Sequence, residues 1–194
     1  MSHIDFENVE KKFEETLKLK EWKKLANDFK KAKSVYIVAN GGLWSVGSHA
    51  ADDCTRLLPK LVQSLDSQCL LTSVANDYGY NNTFVRWLEL FEKSDSLDKS
   101  SMILGLSCSG NSKNVISALH WANKNNFNCS LISGQKSVVL PDDINQVSLN
   151  ATYFHTTEVL TLILFYELIH HCGGQCPSIK DEIVRKGADV HFRF

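Results

Sequence analysis

Three serines, a cysteine and a glycine crowd into the six residues Ser107–Ser112 (SCSGNS), between the apolar run SMILGLS (101–107) and the helical pattern KNVISALHWANKNN (113–126). Hydroxyls in this number at the mouth of a strand suit one chemistry above others. Ser107, Ser109 and Ser112 offer O–H donors, and Gly110 permits a tight turn that exposes backbone amides. The helix that follows would add its unpaired N–H groups and the positive end of its dipole. Together these favour an anion, phosphate foremost. A single serine would be enough to cap the helix. No GxxxxGK[ST] pattern is present and no G-x-G-x-x-G follows the first strand, which argues against a nucleoside triphosphate or a dinucleotide.

A second turn of small residues, Asn40-Gly41-Gly42, closes the apolar run 34–39. His49 and Asp53 follow it at i and i+4, so a helix would present both on one side. The cluster HHCGGQC (170–176) has the residue types of a metal or redox site. A helix end followed by a Gly-Gly turn accounts for it better, because zinc sites usually show two well-spaced ligand pairs. The six cysteines form no paired framework, as expected for reduced thiols in a cytoplasmic chain.

These residues need elements to position them. Phe6, Val9, Phe13, Leu17, Trp22, Leu25 and Phe29 recur at helical spacing and predict two helices, or one broken helix, over 4–32. Strands are predicted at 34–39, 69–74, 101–107, 127–134 and, more weakly, 144–150. Helices are predicted at 43–58, 81–93, 113–126 and 156–172. Strands apolar on both faces that alternate with helices imply a parallel sheet covered on both sides, an αβα sandwich. The helix at 156–172 is apolar nearly all round, which suits a core or a subunit interface. The expected organisation is an N-terminal helical extension (1–32), one α/β domain (33–172) and a tail (173–194).

With 194 residues and a net charge of −1, the chain suits one ordinary globular domain without broad electrostatic steering toward nucleic acid. No apolar run reaches the ~20 residues of a membrane span, and the polar N-terminus does not read as a secretory signal.

GLSCSGNSKNVISAL resembles the phosphosugar-binding loop of the sugar isomerase (SIS) domain family. VANGGLWSVGSHAADDC and SVANDYGYNNTFVRWLE are similar to two further segments of its phosphoheptose isomerase branch. The resemblance implies a flavodoxin-like, three-layer sandwich with a five-stranded parallel sheet, assembled as a homotetramer with active sites between subunits. It implies an aldose–ketose isomerase acting on sedoheptulose 7-phosphate. By position it assigns phosphate binding to Ser107, Cys108, Ser109 and Ser112, and sugar contacts to Asn40, Gly41, Gly42, Asn76 and Asp77. It makes His49 and Asp53 catalytic and possible zinc ligands.

The chain departs from that pattern where the acid–base work is done. Thr157 stands where the family has glutamine, beside Glu158, and Phe165 stands at the position of a catalytic, metal-ligating histidine. Asp53 replaces a glutamate. Phenylalanine neither moves a proton nor binds a metal, so zinc is expected to be weak or absent. A rescued acid–base set would draw on Asp53 or Glu158 as base and His49 or His155 as acid. The expectation is a phosphosugar isomerase with altered acid–base residues. The competing reading is a catalytically weak module that senses a phosphosugar or docks on a partner protein.

Overall fold

The computed structural model describes residues 4–178. Two amphipathic helices open the chain, α1 (Val9–Lys18) and α2 (Lys20–Lys31). In α2 the stripe Trp22, Leu25, Ala26 and Phe29 is buried and belongs to the same apolar cluster as the sheet. The N-terminal segment is therefore packed into the core of the fold.

Five strands follow: β1 (Ser34–Val38), β2 (Leu61–Ser64), β3 (Ser101–Ser107), β4 (Asn128–Ser133) and β5 (Asn145–Ser148). They form one sheet in the order β2-β1-β3-β4-β5, and every pairing is parallel. Between and after them run α3 (Gly41–Leu57), α4 (Gln68–Tyr78), α5 (Thr83–Lys93), α6 (Lys113–Lys124) and α7 (Phe154–His171). The strands alternate between two cores. Val35, Ile37, Met102, Leu104 and Leu106 meet α2, α3 and α7 on one face. Tyr36, Val38 and Ile103 meet α5 and α6 on the other. Both faces are covered, which is why the central strands read as unbroken apolar runs. At Gly105 a Cβ would come within 2.9 Å of Val115 and Leu119, so a glycine lets α6 pack close on β3.

One predicted strand is wrong. Residues 69–74 lie in the helix α4, and the second strand is the short LVQS run 61–64. Ser67 caps α4 by accepting from the Leu70 amide at 3.4 Å, and Thr72 Oγ1 donates to the Gln68 carbonyl as a helical neighbour. Leu70 and Val74, one turn apart, supply the inward stripe. As an edge strand β2 needs little apolar character, and only Val62 is buried. Thr55 Oγ1 exchanges hydrogen bonds with the main chain of Val62, each 2.9 Å, and ties this edge to α3.

The helix stop expected at HHCGGQC is present. Gly173, at φ +89°, turns the chain, and the Gly173 and Gly174 amides return to His170 and Ile169. The tail beyond 178 lies outside the described residues. Among those described, no helix is long and apolar enough to cross a membrane.

Candidate functional site

The strand order places the site. The chain steps from β1 outward to β2, then returns to lay β3 on the other side of β1. The connections leaving the carboxyl ends of β1 and β3 therefore diverge, and the crevice between them is where open parallel sheets bind ligands. Those two connections are Asn40-Gly41-Gly42 and Ser107–Ser112, the two unusual loops of the sequence.

A cleft of about 250 Å³ lies there, lined by Asn40, Gly41, Gly42, Ser107, Cys108, Ser109 and Ser112, with Phe154 and Glu158 as the remaining wall. α3 starts at Gly41, α6 at Lys113 and α7 at Phe154. Three helix N-termini thus border one hollow, each carrying a partial positive charge. A larger hollow of about 440 Å³ lies at the β5 edge beside Lys136 and Asp142, away from these helix ends.

The serine loop is knit before any ligand arrives. Ser107 and Ser112 share a hydroxyl–hydroxyl bond of 2.9 Å, and Ser109 Oγ accepts the Asn111 amide at 3.1 Å. Gly110 is at φ +73°, and a Cβ there would lie 2.6 Å from the Gln135 carbonyl oxygen, so only glycine fits. Its amide donates inward to the Ser107 carbonyl. The expected exposure of amides at this glycine is corrected accordingly. The Ser109 hydroxyl and the Ser107–Ser112 pair line the cleft beside the start of α6.

Asn40 reaches across the cleft. Its Nδ2 donates to Asn114 Oδ1 at 2.8 Å, and Asn114 Nδ2 donates back to Asn40 Oδ1 at 2.9 Å. Tyr80 Oη donates to the same Asn40 Oδ1 at 2.8 Å. This reciprocal amide pair holds the starts of α3 and α6 at a fixed separation. Asn114, only 2% exposed, and Tyr80 were not singled out from sequence. The one signal for Asn114 was a polar residue on the apolar stripe of its helix.

Glu158 stands at the cleft, whereas Thr157 lines a smaller neighbouring hollow of about 130 Å³ with Cys108 and Ser109. A Cβ at Gly42 would meet the Glu158 carboxylate, so glycine admits that side chain beside the start of α3. Thr157 is buried and donates to the Tyr153 carbonyl at 3.2 Å. The Cys108 thiol is pushed up to about 11, first by burial and then by the charge of Glu158, so it stays protonated. Asn76 and Asp77 are exposed, bond to each other at 3.0 Å and do not line this cleft. His155 turns to the Asp5 carbonyl at 2.9 Å and does not line it either.

His49 and Asp53 form a second group farther along α3. His49 Nε2 lies 3.4 Å from Asp53 Oδ2. The side chain facing them is Tyr166, whose Oη is 3.2 Å from His49 Nε2 and 3.3 Å from Asp53 Oδ2. Burial, followed by the charge of Asp53, raises the Tyr166 phenol above its ordinary value.

Known proteins match both the sequence and the fold. Over 121 residues, 58% of this chain and 59% of its counterpart, the sequence is 35% identical to phosphoheptose isomerase of Leptospira biflexa. Over 129 residues, 61% of this chain and 63% of its counterpart, it is 36% identical to that of Fusobacterium nucleatum. The chain thus spans about three-fifths of the length of these curated relatives. No family model matches. The solved phosphoheptose isomerase of Neisseria gonorrhoeae aligns at a TM-score of 0.72, covering 87% of this chain and 92% of that one at 18% identity. The sugar isomerase domain of a Sphaerobacter thermophilus RpiR transcription factor aligns at 0.54 over 94% and 95%, at 13% identity. The chain has the sugar isomerase fold.

The residues at the zinc positions implied by the resemblance are disposed as follows. Phe165 is 1% exposed and packed in the core. A histidine there would bury its polar ring at a cost of roughly 1–3 kcal/mol if unpartnered. The Thr157 hydroxyl is engaged with main chain, a phenol lies against His49 and Asp53, and the Arg56 guanidinium is 3.6 Å from Asp53 Oδ1. Among the described residues no three His, Cys, Asp or Glu side chains gather closely enough to hold a metal ion.

Proposed function

We propose that the chain binds a phosphorylated sugar with its phosphate in the serine cleft, and interconverts the aldose and ketose forms. The observation that carries this reading is the meeting of three helix N-termini and the Ser107, Ser109 and Ser112 hydroxyls at the switch point of the sheet. An anion there gains hydrogen bonds from uncharged donors and the dipoles of α3 and α6, the start of α7 being capped by the Glu7 carboxylate. Resemblance to the phosphoheptose isomerases supports a sedoheptulose 7-phosphate-like substrate.

In such a sugar the reacting carbons lie at the end far from the ester. Glu158, beside the phosphate cleft, is then a poor candidate for the base, and Asp53 is the better one. The carboxylate withdraws a carbon-bound proton and returns it to the neighbouring carbon through an enediol. Such a base contributes about 10²–10⁴-fold.

A second reading keeps the binding and drops the turnover. Phe165 in the core and Thr157 tied to main chain favour it, and so does the NanR protein of Vibrio vulnificus, solved with ManNAc-6P and aligned here at a TM-score of 0.58. Val159 and Phe154 on α7 are exposed, which favours association of copies into the expected tetramer.

Calorimetric titration with sedoheptulose 7-phosphate tests the shared claim. The expected result is binding that weakens about tenfold or more in Ser109→Ala, the usual worth of a hydrogen bond to a charged group. Absence of binding at millimolar ester, or an unaffected variant, refutes it. An assay for aldose–ketose conversion then separates the two readings.

A further inference from the structure

Tyr166 belongs to no motif of the sequence, yet its phenol completes a triangle with His49 and Asp53 whose sides are 3.2, 3.3 and 3.4 Å. The triangle and the cleft lie along one seam. Gly42, His49 and Asp53 are separated by 7 and 4 residues on α3, so at about 100° per residue they share one face. Glu158 lies against Gly42 at one end of that seam, and Tyr166 lies against Asp53 at the other. The eight residues from Glu158 to Tyr166 rise about 12 Å, and helical side chains lean back toward the N-terminus. A sugar held by its phosphate in the serine loop and extended along this seam would carry its far carbons toward the triangle.

We propose that Tyr166 is the hydrogen-bond donor to the substrate's carbonyl oxygen in the isomerisation proposed above, standing in for a metal ion or an imidazole. The inference rests on the isomerase reading. With sedoheptulose 7-phosphate, Asp53 takes a proton from C1. The C–H electron pair becomes the C1–C2 double bond, and the carbonyl electrons move onto O2. The developing negative charge on O2 draws the Tyr166 O–H, which in the free site donates to Asp53 Oδ2 at 3.3 Å. His49 relays the hydroxyl proton from O1 to O2, and Asp53 returns its proton to C2. Nothing is gained or lost overall, and no oxidant or metal is required. Tyr166 keeps its proton throughout. The neighbouring Phe165 cannot take this role, because its ring lies in the core.

The test is Tyr166→Phe, which keeps the ring and removes the hydroxyl. With sedoheptulose 7-phosphate, kcat is expected to fall about 10²–10³-fold, while KM and the calorimetric Kd stay within about threefold of wild type. Tyr166→His restores an N–H donor on the same face and is expected to recover part of the lost kcat. A wild-type enzyme that isomerises, with Tyr166→Phe retaining its kcat, overturns the inference and leaves the isomerase reading standing. A parallel loss of ester binding and melting temperature in both variants makes the phenol a structural tie and also overturns it. A wild-type chain that binds the ester and converts none removes the isomerase reading itself, and the role of Tyr166 with it.

Discussion

The serine cleft and the His49–Asp53–Tyr166 corner are built in opposite ways. The cleft is made of small hydroxyls and the ends of main-chain segments, and its parts come from the loops after β1 and β3 and from the first turn of α7. The corner is made of side-chain tips from the middle of α3 and the later turns of α7. Main-chain donors keep their direction under most substitutions, because a strand end and a helix start fix them. Side-chain tips depend on the rotation of one helix against another, where a single residue step turns the contact by about 100°. The difference separates an anchor that survives sequence drift from chemistry that can be lost or rebuilt by one substitution.

The largest expected effect lies in the corner. Asp53→Asn should lower kcat by about 10²–10⁴-fold, while calorimetry finds ester binding nearly unchanged. A comparable loss of binding would join the two regions into one and break the distinction. Next is Gly110→Ala in the cleft. Its φ of +73° and the 2.6 Å approach to the Gln135 carbonyl leave no room for a Cβ. The substitution should destabilise the fold by about 1–3 kcal/mol, read from urea denaturation, and weaken ester binding at the same time.

The smallest effect concerns the element shared by both regions. Glu7 accepts the Thr152 and Tyr153 amides at the start of α7, which carries both Glu158 and Tyr166. Burial opposes its charge, but the hydrogen bonds at the start of α7, those of the Thr152 and Tyr153 amides among them, outweigh burial and lower its pKa from 4.5 to about 2. A depressed folded-state pKa stabilises the fold above the unfolded value and is lost on acidification. The stability advantage of wild type over Glu7→Ala should therefore be full above pH 4.5 and shrink as pH falls toward 2. Its size should be about 1 kcal/mol, as for a lost helix cap. Urea midpoints measured across that range would show it, and a constant difference would contradict it.

Reading ahead from sequence succeeded where the determinant was local. β3 occupies the predicted residues 101–107, because a run apolar on both faces has few other places to go. The SCSGNS and NGG loops were legible for the same reason: glycine and hydroxyls at a strand end have a chemistry of their own. The misread run 69–74 shows the limit. CLLTSV has the composition of a strand, and its helical identity rests on the Ser67 cap and on the inward pair Leu70 and Val74, one turn apart.

Asn114, Tyr80 and Tyr166 escaped the sequence for a different reason. Asn40 and Asn114 are 74 residues apart, and Asp53 and Tyr166 are 113 apart. No window along the chain contains both members of either pair. The one-dimensional pattern could settle the alternation of apolar runs and the two small-residue loops at strand ends, since each is written within a few neighbouring residues. Which helix faces which, and hence that a phenol stands opposite Asp53, depended on how α3 and α7 rotate to bury their apolar stripes against the sheet. That rotation is a property of the packed core as a whole, and it exists only once the chain has folded.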